Sequence, residues 1–275
     1  MVTVEMVTVG KELLIGRTLN TNARWAGARL ARMGTMLKRI ATVDDDLGEI
    51  ASVLKEILRR SPDFLIVVGG LGPTPDDMTL SGIAEGLGVK MRPNRAALSL
   101  IKEHYASRGL QGIELTPARR KMTVLPAGAE PLVNEVGTAP GVVIVVGRTT
   151  VFSLPGVPAE MRSIFRRSVE PEVRRRLGRL HRKYVTLKLE RILESALAPI
   201  IATELRRHPG VYIKSHPSGI TEGVSRIHLD IAAVGKDVRR TDEEALAIVE
   251  EVKKAVEAAG ATVKSTRDTG RRHGA

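Results

Sequence analysis

Apolar runs of strand length alternate with segments of helical spacing from the first residues to Gly178. The predicted strands are rich in Val, Ile and Leu and lie at residues 2–9, 36–43, 64–68, 142–146 and 150–154. The predicted helices have apolar residues three or four positions apart and lie at residues 20–33, 47–60, 79–87, 95–107 and 159–177. Strands that are apolar on both faces and alternate with helices predict an α/β domain with a mostly parallel sheet covered on both sides. Residues 117–140 are richer in Pro and Gly and are predicted to be irregular or hairpin-like.

The order of elements changes after Gly178. Strands are predicted at residues 184–189, 211–216, 226–234 and 261–264, and helices at residues 194–207 and 241–259, the second with a Thr241/Glu244 capping box. This β-α-β-β-α-β order is typical of a small α+β ferredoxin-like domain. We therefore expect an α/β domain over residues 1–178, a small α+β domain over residues 179–265 and a disordered polar tail over residues 266–275.

The composition excludes several classes of protein. The chain has 275 residues, 43% of them hydrophobic, so it can bury a substantial core. It has no cysteine, which excludes disulfides, thiolate metal sites, iron–sulfur clusters and a Cys nucleophile. We expect no flavin or haem either. No apolar run reaches the length of a membrane span, and the N-terminus alternates like a strand instead of resembling a signal peptide, so we expect a cytoplasmic protein without membrane contact.

The charge is strongly basic and unevenly distributed. Lys and Arg number 43 against 31 Asp and Glu, a formal charge of +12, and residues 162–191 contain eleven basic and three acidic residues. Binding of nucleic acid through this basic segment is one hypothesis. It is disfavoured because the seven aromatic residues do not cluster there to form a base-stacking platform. Attraction of small anionic ligands remains compatible with the charge.

The strongest candidate for a ligand site is the segment GGLGPTPDDMT, residues 69–79, which directly follows the apolar strand at 64–68. Glycines at the carboxyl end of a parallel strand let a ligand approach the backbone closely. Asp76 and Asp77 follow these glycines. One interpretation is that they only cap the next helix. The other is that two adjacent carboxylates hold a hard divalent cation that bridges to phosphate oxygens.

Two further acidic loops follow the first two strands. Glu12 lies in the glycine-flanked loop 10–16, and Asp45 lies in the run Asp44-Asp45-Asp46, whose last member is expected to cap the next helix. Because the carboxyl ends of parallel strands meet at one edge, we expect all three acidic loops to converge there. The six histidines show no metal-ligand spacing along the sequence.

Four segments together resemble one family: GKELLIGRTLNTNA, GGLGPTPDDMT, NEVGTAPG and LPGVPAEM. They resemble the signature segments of the CinA (competence/damage-inducible protein A) family. More distantly, they resemble the molybdopterin-binding domain shared with molybdenum-cofactor enzymes. The resemblance covers residues 4–167 and implies a three-layer α/β/α sandwich with a mostly parallel sheet.

For CinA-type domains the resemblance implies a metal-dependent pyrophosphatase that splits ADP-ribose into AMP and ribose 5-phosphate. Full-length members carry an additional C-terminal nicotinamide-mononucleotide deamidase domain. Only a short tail follows the ferredoxin-like segment here, so we expect a short form without that domain.

The more distant molybdopterin enzymes adenylylate a pterin thiolate, and their motif has Gly-Gly-Thr-Gly followed by Arg-Asp. Here Leu71 stands for that Thr and Asp76 for that Arg, while Asp77 keeps the carboxylate position. An acidic residue in place of a cation points away from the pterin reaction. In the acidic loop, Asp45 resembles the family carboxylate, and Asp44 stands where relatives often have Gly.

Three hypotheses follow. The first is a pyrophosphatase acting on a nucleotide diphosphate such as ADP-ribose, with Mg²⁺, Mn²⁺ or Co²⁺ held by Asp76 and Asp77 and with Asp77, Asp45 and Glu12 as catalytic residues. Its expected phosphate and substrate contacts are Gly69, Gly70, Gly72, Thr74, Asn20, Thr138 and Gly141. The second is a binding or transfer protein for molybdopterin or a related anionic cofactor, without hydrolysis. The third is the nucleic-acid binder. We also expect a homodimer, because homo-oligomers are the common outcome for soluble enzymes.

Overall fold

The computed structural model describes residues 2–110, 114, 116–178, 181–221 and 223–268, except for the side chains of residues 220, 221 and 268. The chain divides after Gly178 into two compact units, the position at which the order of elements changes along the sequence. The first unit contains β1 (Val4–Val9), α1 (Lys11–Leu14), α2 (Thr21–Arg32), β2 (Leu37–Val43), α3 (Leu47–Arg60), β3 (Phe64–Val68), α4 (Thr79–Leu87), β4 (Met91–Pro93), α5 (Arg95–Ala106), α6 (Pro117–Lys121), β5 (Val124–Pro126), β6 (Glu130–Leu132), β7 (Gly141–Val146), β8 (Thr149–Leu154), α7 (Pro158–Ile164) and α8 (Glu170–Leu177).

The main sheet of the first unit has the strand order β2-β1-β3-β8-β7-β6. Strands β2, β1, β3 and β8 are parallel, whereas β7 and β6 are antiparallel to their neighbours in the order. Val9 pairs with Val43, and Val68 pairs with Leu154, so the parallel strands end at the same edge. We call this edge the carboxyl edge.

Both faces of the sheet are buried because alternate side chains of each strand point to opposite faces. On one face the strands pack against α2, α7 and α8, with a core that includes Met6, Leu30, Ile66, Phe152 and Phe165. On the other face they pack against α3, α4 and α5, with a core that includes Val7, Ile50, Leu65, Ile83 and Val151. The first unit is therefore the three-layer α/β/α sandwich that the alternation of apolar strands and helices predicts.

The basic segment predicted as one helix over residues 159–177 contains an interruption. A π-helical turn, Phe165–Val169, separates α7 from α8. Pro171, the second residue of α8, has no N–H to donate to the carbonyl four residues earlier, so the regular ladder of hydrogen bonds is interrupted there.

Short elements occupy two stretches that the sequence left irregular. The predicted loop 10–17 contains the one-turn helix α1, and the irregular stretch 117–140 contains α6, β5 and β6. Strand β5 pairs with β4, which the sequence did not predict, in a two-stranded sheet. Elements of three to five residues carry too little periodicity to be recognised from the pattern.

The second unit contains β9 (His181–Glu190), α9 (Glu194–Arg207), β10 (Tyr212–Thr221), β11 (Val224–Gly235), α10 (Val238–Ala258) and β12 (Thr262–Asp268). Its antiparallel sheet has the order β10-β11-β9-β12, the arrangement of a ferredoxin-like fold. Alternate residues of its strands pack with the two helices in a core that includes Leu187, Leu229, Leu197, Ile248 and Val252.

Two predictions for the second unit need correction. The Thr241/Glu244 capping box is wrong: α10 begins at Val238, and Asp237 caps it by accepting a hydrogen bond from the N–H of Arg240 at 2.8 Å. Thr241 is buried inside the helix, where its hydroxyl donates to the carbonyl of Asp237 at 2.6 Å. The predicted tail also begins too early, since β12 continues to Asp268 through backbone pairing with β9 that polar side chains do not reveal. The rest of that tail, residues 269–275, lies outside the described residues.

Within the described ranges, none of the helices is both long enough and apolar enough to cross a lipid bilayer.

Candidate functional site

The loops after the parallel strands meet at the carboxyl edge, as the order of strands predicts. The N–H of Gly10 donates to the carbonyl of Val43 at 3.1 Å, and that of Gly69 donates to the carbonyl of Leu154 at 3.0 Å. These bonds tie the loop after β1 to the end of β2 and the loop after β3 to the end of β8. Thr138 and Gly141 lie at the same edge, because β7 begins where β8 ends.

Gly69 and Gly70 lie at the carboxyl edge, and residues of β1 and α4 pack closely against them. Gly69 has φ +113°, and a Cβ there would lie 2.2 Å from the carbonyl oxygen of Val9. A Cβ on Gly70, with φ +62°, would lie 2.4 Å from Oγ1 of Thr79. The buried Thr79 hydroxyl in turn donates to the carbonyl of Gly69 at 2.8 Å. Part of the room that the glycines leave is therefore filled by β1 and by the first residue of α4.

The aspartate pair is held in a closed turn. Oδ2 of Asp77 accepts hydrogen bonds from the N–H of Thr74 at 2.8 Å and from its hydroxyl at 2.6 Å. A Cβ on Gly72 would lie only 2.6 Å from the same oxygen, so the turn needs glycine there. Lys121, in α6, donates from its Nζ to the carbonyl of Thr74. No pattern in the sequence indicates this lysine, which lies 47 residues from Thr74 along the chain.

The helix-capping interpretation of Asp76 and Asp77 is not realised. Helix α4 begins at Thr79, its N-cap residue is Met78, and no side chain caps it. Asp76 is exposed, and hydrogen bonding by Thr74, the N–H of Asp76 itself and the charge of Lys121 lower the pKa of its carboxyl. Asp76 thus presents a charged carboxylate to solvent beside the Thr74–Asp77 turn.

Asp45 and Asp46, in the acidic loop after β2, accept hydrogen bonds from different elements. Oδ2 of Asp45 accepts a hydrogen bond at 2.9 Å from the N–H of Lys11, the first residue of α1. Asp46 caps α3 by accepting from the N–H of Glu49 at 3.0 Å, as predicted. Glu12 is exposed, and its carboxylate lies beside Gly10, where a Cβ would be 2.5 Å from Oε1.

Two asparagines of the segment after α1 join the edge to the rest of the sheet. Asn20 caps α2 by accepting from the N–H of Ala23 at 3.0 Å, and its Nδ2 donates to Oγ1 of Thr8 at 3.0 Å. Nδ2 of Asn22 donates to the carbonyl of Gly156 at 2.7 Å. Oδ1 of Asn22 is buried and accepts no hydrogen bond from any described residue. This oxygen is therefore a buried acceptor without a donor among the described residues.

The described residues do not gather Glu12, Asp45, Asp76 and Asp77 into a cluster of three or more carboxylates close enough to surround one ion. Mg²⁺ usually keeps several waters and takes only one or two protein carboxylates. The predicted pair Asp76 and Asp77 is therefore compatible with such an ion, whereas a fully protein-coordinated site at this edge is not formed.

The basic segment is partly neutralised inside the first unit. Arg29 makes a bidentate contact with Glu170, a buried residue at the start of α8, and Nη2 lies 2.9 Å from Oε2. Arg175 pairs with Glu172 at 2.7 Å, and Arg167 pairs with Glu135. These pairs reduce the charge that this helix offers to a polyanion.

Comparison with known proteins identifies relatives of the first unit and of the whole chain. Residues 5–175 match a family described as a probable molybdopterin binding domain. A protein of Metallosphaera sedula is 43% identical over 261 residues, which are 95% of this chain and 97% of that protein. A protein of Aeropyrum pernix is 40% identical over 258 residues, which are 94% of this chain and 95% of that protein.

A solved structure of a CinA protein with unknown function from Thermoplasma acidophilum is 41% identical to this chain. It has a TM-score of 0.56 and covers 62% of this chain and 98% of its own length.

Proposed function

We propose, from the premise that this chain belongs to the family of probable molybdopterin binding domains and is of the CinA type, that its carboxyl edge binds an anionic pterin cofactor of the molybdopterin class without hydrolysing it. The family match over residues 5–175 carries the proposal, because those residues include every loop at that edge. This function is the second of the three that the sequence suggests.

The residues at the edge fit a ligand with both a heterocycle and a phosphate. Oδ1 of Asn22 is a buried acceptor that a ring N–H of a pterin would satisfy. Gly69 and Gly70 carry no side chains at the carboxyl edge, although Val9 and Thr79 fill part of the space that this leaves. A small number of polar groups that fix the orientation of the ligand is usual for a small-molecule site.

The charges at the edge call for a cation with an anionic ligand. The loops at the edge carry six carboxylates, those of Glu12, Asp44, Asp45, Asp46, Asp76 and Asp77. These outnumber the basic residues Lys11 and Arg17 of the same loops together with Lys121, which donates to Thr74. A phosphate group would be repelled by this set unless a divalent ion stood between them. We propose Asp76 and Asp77 as the residues that hold such an ion, whose chemistry is to neutralise charge between carboxylate and phosphate.

The contacts favour binding over hydrolysis. Oδ2 of Asp45 and Oδ2 of Asp77 accept hydrogen bonds from loop N–H groups, so one oxygen of each carboxylate is used to shape the edge. Glu12 is exposed on α1. The pyrophosphatase hypothesis requires one of these carboxylates to orient a water molecule, and no contact of the described residues singles out one for that task.

The test is a fluorescence titration of the full chain with anaerobically prepared molybdopterin, with Mg²⁺ and with EDTA. We expect saturable binding that EDTA weakens and that the Asp77→Asn variant weakens at least tenfold, about 1.4 kcal/mol. The matched control is Glu103→Gln, an exposed change on α5 that should leave binding unchanged.

A parallel incubation with ADP-ribose and Mg²⁺, Mn²⁺ or Co²⁺, analysed by chromatography, separates the two hypotheses. No AMP together with saturable pterin binding supports the proposal. Metal-dependent AMP that disappears in Asp77→Asn would overturn it in favour of the pyrophosphatase. Absence of pterin binding would also overturn it.

A further inference from the structure

Three ligand-type side chains converge in the second unit. Glu204 and His208 lie four residues apart at the end of α9, and the N–H of His208 donates to the carbonyl of Glu204 at 2.9 Å. This helical spacing places both side chains on one face. Glu251 reaches the same point from α10, and one ligand atom from each of the three lies within 4.8 Å of the others.

The distances among these atoms match those around a tetrahedral ion. Nε2 of His208 lies 3.2 Å from Oε2 of Glu251 and 3.7 Å from Oε2 of Glu204. Ligand atoms at about 2.0–2.1 Å from a tetrahedral Zn²⁺ are separated from one another by about 3.3 Å. The two separations from Nε2 of His208 bracket that value, and the three ligand atoms all lie within 4.8 Å of one another.

The hydrogen bonds within the cluster leave one buried oxygen unsatisfied. Glu204 is 3% exposed, and its Oε2 accepts no hydrogen bond from any residue that the structure describes. A single N–H at Nε2 of His208 can serve Glu251 or Glu204, and it is the Glu251 contact that has hydrogen-bond length. A buried acceptor without a partner costs roughly 1–3 kcal/mol. A metal ion would bond to all three atoms at once.

The surroundings also favour a cation. The last carbonyls of α9 form the negative end of its helix dipole, directly beside His208. Two carboxylates and a neutral imidazole carry a charge of −2. Arg207 offsets part of it through a contact of 3.4 Å with Oε1 of Glu204, the oxygen that is not needed as a ligand. The half-exposed Glu251 leaves one side open for water as a fourth ligand.

We propose that Glu204, His208 and Glu251 form a binding site for a divalent transition metal in the second unit, with Zn²⁺ or Co²⁺ as the expected ion. An imidazole between two carboxylates suits these ions better than Mg²⁺ or Ca²⁺, which prefer oxygen ligands alone. Along the sequence the histidines show no metal spacing, since the third ligand lies 43 residues beyond His208. The site joins α9 to α10 within the second unit.

The experiment is a titration of the metal-free full chain with Co²⁺ or Zn²⁺ alone. Binding is monitored by calorimetry and, for Co²⁺, by the visible absorption of the bound ion. We use the Asp77→Asn background, so that binding at the proposed carboxyl-edge site does not contribute. We expect each chain to bind one equivalent of Co²⁺. The visible absorption of the bound ion should be that of Co²⁺ with a low coordination number. Loss of a group that only hydrogen-bonds to a metal ligand already costs about 10–100-fold in metal affinity, so loss of the proposed ligand itself in His208→Gln should weaken binding by about 100-fold or more.

Glu251→Gln is the second variant, because it changes an exposed residue and leaves the buried Glu204 in place. It should also weaken Co²⁺ binding, by at least about tenfold. His181→Gln is the matched control: His181 pairs with the single carboxylate of Asp242 at 2.6 Å, and its loss should leave metal affinity unchanged. The proposal is overturned if the chain binds no Co²⁺. It is also overturned if His208→Gln and Glu251→Gln bind Co²⁺ with the same affinity as His181→Gln.

Discussion

Nδ2 of Asn134 donates to Oε2 of Glu160 at 2.6 Å, and this bond joins the loop before β7 to the first turn of α7. The same Nδ2 donates to the carbonyl of Ala139 at 2.8 Å, while Oδ1 accepts from the N–H of Gly137 at 2.9 Å. The Glu160 carboxylate occupies the space that a Cβ on Gly137 would need. Two signature segments of the sequence, NEVGTAPG and LPGVPAEM, are therefore one structural feature built around a buried amide.

Replacing that amide by a carboxylate is expected to destabilise the first unit. Asn134→Asp removes both donors and places a negative charge against Glu160, so the free energy of unfolding should fall by roughly 1–3 kcal/mol. Denaturant unfolding measures it. Glu103→Gln, on the exposed face of α5, serves as the control and should change the free energy by less than about 0.5 kcal/mol. Equal stability of Asn134→Asp and the parent chain would show that the bond does not hold the two segments together.

The glycine turn gives a second prediction, with a matched pair of variants. Gly69→Ala should lower the free energy of unfolding by about 3 kcal/mol or more, since the methyl group would meet the carbonyl of Val9 at a positive φ. Gly88→Ala also places a side chain at a positive φ, +67°, but with nothing within 4 Å, and should cost about 1 kcal/mol. Thermal and denaturant unfolding give the loss of stability in each variant. Gly69→Ala reports the close contact together with the positive φ, and Gly88→Ala reports the positive φ alone. Equal losses of unfolding free energy in the two variants would show that the contact with Val9 is not what requires glycine at position 69.

Asp63 predicts a pH dependence of stability. It is a buried residue, and burial alone would raise the pKa of its carboxyl. Hydrogen bonds from the N–H of Thr3 at 2.9 Å and from Arg148 at 2.9 Å outweigh that effect and lower the pKa. A carboxyl with a lowered pKa in the folded chain stabilises it above the unfolded-state value of about 3.9 and loses that contribution as the pH falls through the folded-state value.

The measurement is the difference in unfolding free energy between the parent chain and Asp63→Asn. We expect a difference of roughly 1–3 kcal/mol at pH 7 that shrinks steadily below about pH 4. A difference that stays constant down to pH 2 would mean that packing, and not ionisation of Asp63, accounts for its effect.

The Arg29–Glu170 pair yields a fourth prediction. Glu170 is buried, and Glu170→Gln leaves the guanidinium of Arg29 without its charged partner. This change should lower the free energy of unfolding by about 3 kcal/mol. Arg175→Gln breaks the exposed pair with Glu172 and should cost less than about 1 kcal/mol. A double-mutant cycle with Arg29→Met should return a coupling energy above 1 kcal/mol, and a coupling near zero would contradict the assignment.

Much of the first unit could be predicted from the sequence because its signals are local. The helix at residues 47–60 has the predicted bounds, with Asp46 as its cap, and so does the strand at 64–68. Apolar runs bounded by capping residues and glycines fix such elements by themselves. Recognition of the four signature segments also identified the CinA-type family.

The site depended on side chains that meet from distant parts of the chain. The sequence placed Asp76 and Asp77 at the start of a helix but could not show that Asp77 closes a turn on Thr74 or that Lys121 reaches the same turn. In the second unit, nothing in the spacing of the histidines indicates the cluster formed by Glu204, His208 and Glu251.

The sequence by itself determined which residues form strands and helices, the parallel sheet and the edge at which its loops gather, because periodicity and capping act over a few residues. The tertiary structure alone decided which polar atoms are satisfied. Oδ1 of Asn22 is buried without a described donor, whereas Asn20 caps α2 through Oδ1 and donates to Thr8 through Nδ2, although both stand in the same short segment. Hydrogen bonds and ion contacts require atoms within about 3–4 Å, and only the packing of distant elements sets such distances.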